Sequence, residues 1–106
     1  MNKNFGLTNS DIEEIKNSLK SFPEINKCVI FGSRAKNNYK PGSDVDIALI
    51  GKEVTDETAS KLSVLLNEES KMPYFFDVLN FNTIVNLKLK EHIQRVGIEI
   101  PFKQLY

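Results

Sequence analysis

The stretch from Phe31 to Asp46 constrains the fold more than any other part of the sequence. An apolar run ends in Gly32-Ser33, ten residues follow, and a second apolar run opens with Asp44-Val45-Asp46. A glycine directly after a strand lets the main chain turn tightly and approach a ligand closely. The pattern therefore predicts two strands joined by a short ligand-binding loop.

The first half of this stretch has the features of a phosphate-binding loop. Ser33 can cap a short helical turn through Arg34–Lys36, and the unpaired N–H groups and positive dipole end of such a turn favour an anion. Arg34 adds positive charge next to the corner. We therefore expect the phosphates of a ligand to be bound by Gly32, Ser33, Arg34 and Ser43.

The second half of the stretch has the features of a metal site. Side chains alternate along a strand, so Asp44 and Asp46 are predicted to project from one face. Paired carboxylates repel each other unless a cation binds, and Mg²⁺ prefers carboxylate and phosphate oxygens. Asp77 lies in the middle of another apolar run, where a charge is costly unless it is paired or bound to metal. The predicted metal ligands are Asp44, Asp46 and Asp77.

Hydrophobic periodicity and turn residues predict alternating helices and strands. The ten-residue connection is short for a parallel crossover, so the first two strands are expected to pair antiparallel. Pro41-Gly42 predicts a turn before the second strand. The expected elements are a helix capped by Thr8, a strand over 25–31, a strand over 45–50, a helix over 55–70, a strand over 74–80, a helix capped by Asn82 or Thr83, and an edge strand over 97–101. We predict an α/β (α+β) fold with a small mixed sheet of about four strands, in a single domain over residues 1–106.

Composition limits the partners and the compartment. The chain has 14 basic and 14 acidic residues and a net charge of zero, so no overall field attracts nucleic acid or a membrane. Cys28 is the only cysteine, which excludes an internal disulfide and fits a reducing cytoplasm. The sequence has no apolar run of about 18 residues, and residues 1–4 lead into no signal-peptide core. We expect a cytoplasmic protein that binds neither membrane nor nucleic acid directly.

Together, Gly-Ser, the ten-residue gap, Asp-x-Asp and a later aspartate on another strand resemble the nucleotidyltransferase superfamily that includes DNA polymerase β-like enzymes. At this length the chain is similar to minimal nucleotidyltransferase (MNT) proteins, the antitoxins of HEPN toxins. The resemblance covers residues from about 27 to 100. It implies a Mg²⁺-dependent protein adenylyltransferase that moves AMP from ATP to a hydroxyl of a HEPN toxin, a tyrosine, and so neutralises the toxin in a type VII-like module.

The resemblance also implies roles for the residues of the motif. Asp44 and Asp46 would bridge two Mg²⁺ ions, while Asp77 would hold the catalytic ion and assist deprotonation of the acceptor. Gly32 and Ser33 would hold the β- and γ-phosphates of ATP. The chain departs from the family pattern at Lys36-Asn37, where relatives often have Arg-Gly. Asparagine tolerates the left-handed backbone conformation that glycine adopts, so nucleotide binding is expected to survive.

Two other functions fit the same residues. The chain could be an antitoxin that blocks its toxin by contact alone, in which case Asp46→Asn would leave neutralisation intact. It could also be the catalytic subunit of a two-subunit nucleotidyltransferase that acts on a small molecule or a nucleic acid. A homo- or hetero-oligomer is compatible with all three functions, since apolar residues near the end of the chain predict a docking surface. These are Ile98, Ile100, Phe102, Leu105 and Tyr106.

Overall fold

The computed structural model describes residues 5–40 and 42–102. This part of the chain contains both helices and strands, and two strands follow each other directly after the first helix. In chain order they are α1 (Asn9–Leu19), β1 (Lys27–Phe31), β2 (Val45–Ile50), α2 (Asp56–Val64), β3 (Phe76–Asn80), α3 (Leu87–Val96) and β4 (Ile98–Glu99). None of the helices in this part is long and apolar enough to cross a membrane.

The strands form one mixed sheet in the order β3-β2-β1-β4. β1 pairs antiparallel with both β2 and β4, whereas β2 and β3 are parallel. The predicted four-stranded mixed sheet and the antiparallel pairing of the first two strands are therefore confirmed. The first strand begins at Lys27 rather than at Ile25, because the Ile25 amide instead donates to the Phe22 carbonyl in a turn.

The two faces of the sheet carry separate hydrophobic clusters. On one face Ile30, Ile47 and Phe76 pack against residues of α1 and α2. On the other face Val29, Phe31 and Ala48 pack beneath Ile93 of α3. Even-numbered residues of β2 point to this second, thinner side, so Asp46 projects towards the α3 side of the sheet.

The first helix begins as its sequence predicts. The Asp11 amide donates to the Thr8 hydroxyl at 2.9 Å, and the Thr8 amide donates to the Asp11 carboxylate at 3.0 Å. This reciprocal capping box satisfies two amides that a helix start would otherwise leave unpaired. Leu7 and Ile12 both pack in the larger hydrophobic cluster.

The second helix is shorter and more irregular than predicted. Thr55 caps α2, which ends at Val64 and continues as a π-helical turn over Leu65–Glu69. The Ser70 amide donates to the Leu65 carbonyl at 2.9 Å, which closes this wider turn. Ser70 is therefore the end of the helical segment, as expected, but its last turn is not an α-helix.

The predicted cap of the third helix is wrong. α3 is capped by Asn86, whose side-chain oxygen accepts the Lys88 and Leu89 amides at 2.9 and 3.1 Å. Asn82 and Thr83 lie in a preceding 3₁₀ turn. The Asn82 side chain is used elsewhere, because it donates to the main-chain carbonyls of the segment that follows β2.

The predicted docking surface near the end of the chain is only partly exposed. Ile98 is 40% exposed, but Ile100 and Phe102 are buried and belong to the larger cluster. The Ile100 amide donates to the Cys28 carbonyl at 2.8 Å, which extends the pairing of the chain along β1. Leu105 and Tyr106 lie outside the described residues.

Candidate metal and phosphate site

The strand register brings two of the predicted metal ligands side by side. Asp46 on β2 lies opposite Phe31 on β1 and opposite Asp77 on β3. Directly opposed residues of neighbouring strands point to the same face and lie about 5 Å apart. Asp44 immediately precedes β2 and is two residues from Asp46, so the strand alternation directs it to this face as well. One end of the sheet therefore carries all three carboxylates.

Asp46 occupies the most constrained position of the three. It is half-buried, while Asp44 and Asp77 are exposed. Burial raises the pKa of the Asp46 carboxyl, and the neighbouring charges of Asp77 and Asp44 raise it further. Both effects disfavour the ionised form. A bound cation would reverse the charge repulsion, so the central carboxylate is the one that gains most from a metal ion.

Gly32 makes room for this carboxylate. Its φ angle is +75°, in the left-handed region that glycine adopts freely. A Cβ atom at this position would collide with the Oδ2 atom of Asp46. The corner after β1 therefore requires glycine for two reasons, the turn of the main chain and the close approach of Asp46.

The chain after Gly32 forms a run of hydrogen-bonded turns rather than the predicted short helix. The Lys36 amide donates to the Gly32 carbonyl at 3.1 Å, and the Asn38 amide donates to the Ser33 carbonyl at 3.1 Å. Asn37 has a φ of +64°, which ends the turn and confirms that asparagine adopts the left-handed conformation here. Because residue 37 reverses the chain, no regular helix can form for Ser33 to cap.

Several amides of this turn remain available to a ligand. Within the part of the chain that the structure describes, the N–H groups of Ser33, Arg34 and Ala35 donate to no backbone acceptor. Ser33 and Ala35 are half-exposed, next to the Gly32 corner. Successive main-chain N–H groups in such a turn form a concavity suited to an anion. The phosphate-binding prediction for Gly32 and Ser33 is thus compatible with the geometry.

The loop closes onto β2 through a second tight turn. Gly42 has a φ of +83°, and the Ser43 amide donates to the Lys40 carbonyl at 2.9 Å. The Ser43 hydroxyl accepts the Lys40 amide at 2.8 Å. The turn predicted from Pro41-Gly42 includes Pro41, which lies outside the described residues. In this structure the Ser43 hydroxyl stabilises the turn, and its phosphate-binding role stays a prediction.

Arg34 lies beneath the loop rather than at its surface. Its side chain is only 2% exposed. Nη2 and Nε donate to the Ser43 carbonyl at 2.7 and 3.2 Å, and Nε is 3.3 Å from the Asp44 carbonyl. Nη1 donates to the Phe5 carbonyl at 2.6 Å. The guanidinium thus holds main-chain carbonyls, and the predicted phosphate contact of Arg34 would require the loop to open.

Three further residues near Arg34 were not predicted as part of the site. The guanidinium carbon lies 5.1 Å from the ring centre of Tyr39 and 5.0 Å from that of Tyr74. The Tyr74 hydroxyl donates to the Asp11 carboxylate at 2.8 Å. Because Asp11 and Tyr74 are far apart in the chain, no local pattern in the sequence indicates that they meet beside Arg34.

Three aromatic residues lie near the carboxylates, and one of them, Phe31, is paired with Asp46 across the strands. The ring of His92 on α3 contacts Phe31 edge to face, with ring centres 6.3 Å apart. Phe75 immediately precedes β3, two residues from Asp77, and is 57% exposed. Strand alternation places Phe75 on the same side of the sheet as Asp77. A ligand bound at the carboxylates would therefore meet apolar surface as well as charge.

The family model for polymerase beta nucleotidyltransferases matches residues 13–104 of the sequence. The chain belongs to this nucleotidyltransferase family. The match includes the glycine corner, the turn that follows it and all three carboxylates, whereas Phe5 and Asp11, which lie near Arg34, precede it.

The nucleotidyltransferase shares its fold with chains of solved toxin–antitoxin complexes. A chain of a toxin–antitoxin crystal structure with AMP-PNP superposes with a TM-score of 0.71 at 18% identity, covering 88% of this chain and 74% of that chain. A chain of the MntA-HepT toxin–antitoxin structure gives 0.67 at 15% identity, with coverages of 91% and 74%. A chain of the structure of the tri-AMPylated Shewanella oneidensis HEPN toxin with its MNT antitoxin gives 0.66 at 16% identity, with coverages of 89% and 71%. Among curated proteins, no sequence matches this nucleotidyltransferase.

The carboxylates of the nucleotidyltransferase suit a hard divalent cation. Carboxylate oxygens are the protein ligands that Mg²⁺ prefers, and the missing Cβ of Gly32 keeps one side of Asp46 open. Among residues 5–40 and 42–102, no three His, Cys, Asp or Glu side chains are already drawn together around one point as metal ligands. The arrangement therefore fits Mg²⁺ in the type of residue and in the strand positions of the three carboxylates.

Proposed function

We propose that this protein is a Mg²⁺-dependent adenylyltransferase that transfers AMP from ATP to a tyrosine hydroxyl of a HEPN toxin and thereby neutralises it. The observation that carries the proposal is the juxtaposition of Asp46 with Asp77 and with the Gly32 corner in a nucleotidyltransferase domain. The shared fold with chains from toxin–antitoxin complexes, one containing AMP-PNP and one a tri-AMPylated HEPN toxin, supports the choice of donor and acceptor.

The reaction exchanges one phosphorus–oxygen bond for another. The hydroxyl oxygen of the acceptor forms a bond to the α-phosphorus of ATP, the bond from that phosphorus to the bridging oxygen breaks, and pyrophosphate leaves. Mg²⁺, when bound, neutralises charge on the transferred phosphate and lowers the pKa of the attacking hydroxyl. Such in-line displacement depends mainly on positioning and on electrostatic stabilisation.

The acidic residues and the turn after Gly32 have different roles in the proposed reaction. Asp44, Asp46 and Asp77 would hold the cations, with Asp46 in the centre, and Asp77 on the edge strand β3 would also assist deprotonation of the acceptor hydroxyl. The free amides of the turn after Gly32 donate to the β- and γ-phosphates. Ser33 lies at that turn, and we assign it to the same phosphates.

Transfer of label from α-labelled ATP tests the proposal. The protein is incubated with Mg²⁺ and the product of the neighbouring gene, and wild type is compared with the Asp44→Asn/Asp46→Asn double variant. We expect label on the partner with wild type only, and mass spectrometry should place the AMP on a tyrosine. Label on a small molecule or a nucleic acid instead would identify a different acceptor. A stable complex without label would indicate neutralisation by contact alone.

A further inference from the structure

Arg34 is a buried cation with main-chain partners on two sides. At 2% exposure it is almost completely removed from water, and such a charge is costly unless it is compensated. The compensation comes from the carbonyls of Phe5, Ser43 and Asp44. Hydrogen bonds from a charged donor are stronger than neutral ones, and the 2.6 and 2.7 Å distances from Nη1 and Nη2 are short.

Two tyrosine rings also contact the guanidinium group of Arg34. Tyr39 and Tyr74 lie within 5.1 Å of it, and their ring faces attract a cation. Gly6 closes the remaining side, since a Cβ there would lie 2.7 Å from Nη1 of Arg34 and 2.5 Å from the Tyr39 ring. Within residues 5–40 and 42–102, these contacts and the burial of Arg34 leave no opening through which a phosphate could reach the guanidinium.

The support of Arg34 extends to the first helix. The Tyr74 hydroxyl donates to Asp11, which is itself held by Thr8 in the capping box at the start of α1. The hydrogen bonds from Tyr74 and Thr8, together with the positive charge of Arg34, outweigh the effect of burial and lower the pKa of Asp11. A continuous set of contacts thus runs from the helix start to the loop before β2.

At the other end of these contacts, Arg34 binds the main chain of Asp44, one of the proposed metal ligands. Asp44 lies outside β2, so no strand pairing of its own fixes it, and its side chain is exposed. Arg34 binds the carbonyls of Asp44 and of the preceding Ser43. Groups that hold a metal ligand in place typically change metal affinity 10- to 100-fold when they are removed.

We propose that Arg34 is a positioning residue that fixes the main chain at Asp44, and so orients this carboxylate towards a divalent cation, without contacting phosphate. The inference rests on the proposed function for the identity of the metal site. Its chemistry requires arginine: a lysine keeps the charge but has a single ammonium group, which cannot replace the three guanidinium nitrogens that donate to the Phe5, Ser43 and Asp44 carbonyls.

The test compares Arg34→Lys with wild type, and Arg95→Lys serves as the matched control. Arg95 carries the same substitution on the exposed surface of α3, where it pairs only loosely with Glu91 at 3.8 Å. Binding of Mn²⁺ alone is measured by electron paramagnetic resonance. We expect roughly tenfold weaker Mn²⁺ binding in Arg34→Lys and no change in Arg95→Lys. Equal Mn²⁺ affinity in all three proteins would overturn the proposal.

Two further measurements separate positioning from the other possible roles. ATP affinity without divalent metal should be the same in Arg34→Lys and wild type, because Arg34 does not touch phosphate; a clear loss would mean that it does. Hydrogen exchange of the Ser43 amide, measured without metal or nucleotide, should accelerate at least tenfold in Arg34→Lys relative to the amides of β1. Uniform acceleration throughout the protein would indicate a purely structural role.

A second variant covers the case in which Arg34→Lys does not fold. Tyr39→Leu removes one ring face and leaves every hydrogen bond of Arg34 in place, so we expect two- to fivefold weaker Mn²⁺ binding and faster Ser43 exchange. No change in either would count against the proposal. If wild type transfers no AMP, the proposed function fails, but Mn²⁺ binding and amide exchange still decide the role of Arg34.

Discussion

At the scale of single residues, the site depends on a glycine that two independent requirements impose. Gly32 turns the chain with a positive φ, and it leaves space that the Asp46 carboxylate occupies. Gly42 also has a positive φ, but a Cβ there would meet nothing within 4 Å. Substituting each glycine in turn therefore distinguishes two effects. A side chain at Gly42 meets only the backbone strain, whereas a side chain at Gly32 also displaces the Asp46 carboxylate.

We expect Gly32→Ala and Gly42→Ala to destabilise the protein to a similar extent but to differ in function. Each places a Cβ in the left-handed region, at a cost of about 1–2 kcal/mol. Only Gly32→Ala should displace Asp46 and weaken Mn²⁺ binding. Urea unfolding and Mn²⁺ titration of both variants check this. If Gly42→Ala lost Mn²⁺ binding as well, loop conformation rather than space beside Asp46 would control the site.

At the scale of elements, the N-terminus of α1 is tied to the strand that carries the third carboxylate. Asp11 caps α1 through Thr8 and also accepts from Tyr74, shortly before β3. The lowered pKa of Asp11 shows that these interactions favour its ionised form more than burial disfavours it. A carboxylate of this kind stabilises the fold above its ordinary pKa, and the contribution is lost as the pH falls through the folded-state pKa.

We therefore expect Asp11→Asn to lower the free energy of unfolding by about 1 kcal/mol at neutral pH. The difference from wild type should shrink as the pH falls below 3.8, the ordinary value for this carboxyl group. Urea unfolding of both proteins at neutral pH and at a pH below 3.8 measures this difference in the free energy of unfolding. Glu13→Gln on the same helix is the control, since Glu13 makes only a surface pair with Lys16 at 3.7 Å and should change little. A pH-independent loss would argue against the ionised carboxylate as the stabilising form.

A second prediction at this scale concerns α3, which covers the thinner face of the sheet. Asn86→Ala should cost about 1 kcal/mol and accelerate exchange of the Lys88 and Leu89 amides, because Asn86 accepts from both. Asn82→Ala should also destabilise the protein, through the lost hydrogen bonds to Gly51 and Val54, but leave the amides of α3 protected. If Asn82→Ala instead accelerated exchange of the α3 amides, Asn82 would contribute to capping the helix, as the sequence predicts.

These elements also show how far the sequence alone could go. The antiparallel pairing of the first two strands follows from local signals, because the glycine corner, the short connection and the alternation of Asp44 with Val45 act over few residues. The parallel pairing of β2 with β3 joins segments that are distant in the chain, and the sequence did not predict it. The cap of α3 was misplaced since asparagine occurs at both 82 and 86, and only packing decides which one is free to cap. The setting of Arg34 was missed because its partners come from distant parts of the chain, which no periodicity encodes.

At the scale of the whole molecule, the position of Asp46 carries a cost in stability. Asp46 is half-buried beside two like charges, and its raised pKa records that cost. Protein sites that require charge at such positions are commonly less stable than their neutralised variants. The cost falls on the middle of the sheet, where β2 joins β1 to β3.

We expect Asp46→Asn to raise the melting temperature in the presence of a chelator and to abolish AMP transfer. Addition of Mg²⁺ should stabilise wild type, because the ion binds the folded state, and should have little effect on Asp46→Asn. Thermal unfolding of both proteins with and without Mg²⁺ gives the four values needed. Asp56→Asn, on α2, is a comparison that should respond to Mg²⁺ like wild type. A lower melting temperature for Asp46→Asn than for wild type in chelator would contradict a destabilising repulsion between Asp46 and the charges of Asp44 and Asp77.

The pairing of Asp46 with Asp77 makes the site sensitive to the register of β3 against β2. A shift of β3 by one residue along β2 would turn Asp77 to the opposite face and bring Phe76 or Val78 to its place. Such a molecule would retain most of its secondary structure but would carry only two of the three carboxylates, Asp44 and Asp46, on this face of the sheet. If the proposed AMP transfer needs all three carboxylates, the activity per molecule reports the fraction of chains in which β3 pairs with β2 in the correct register. Spectroscopic measures of secondary structure would overestimate this fraction.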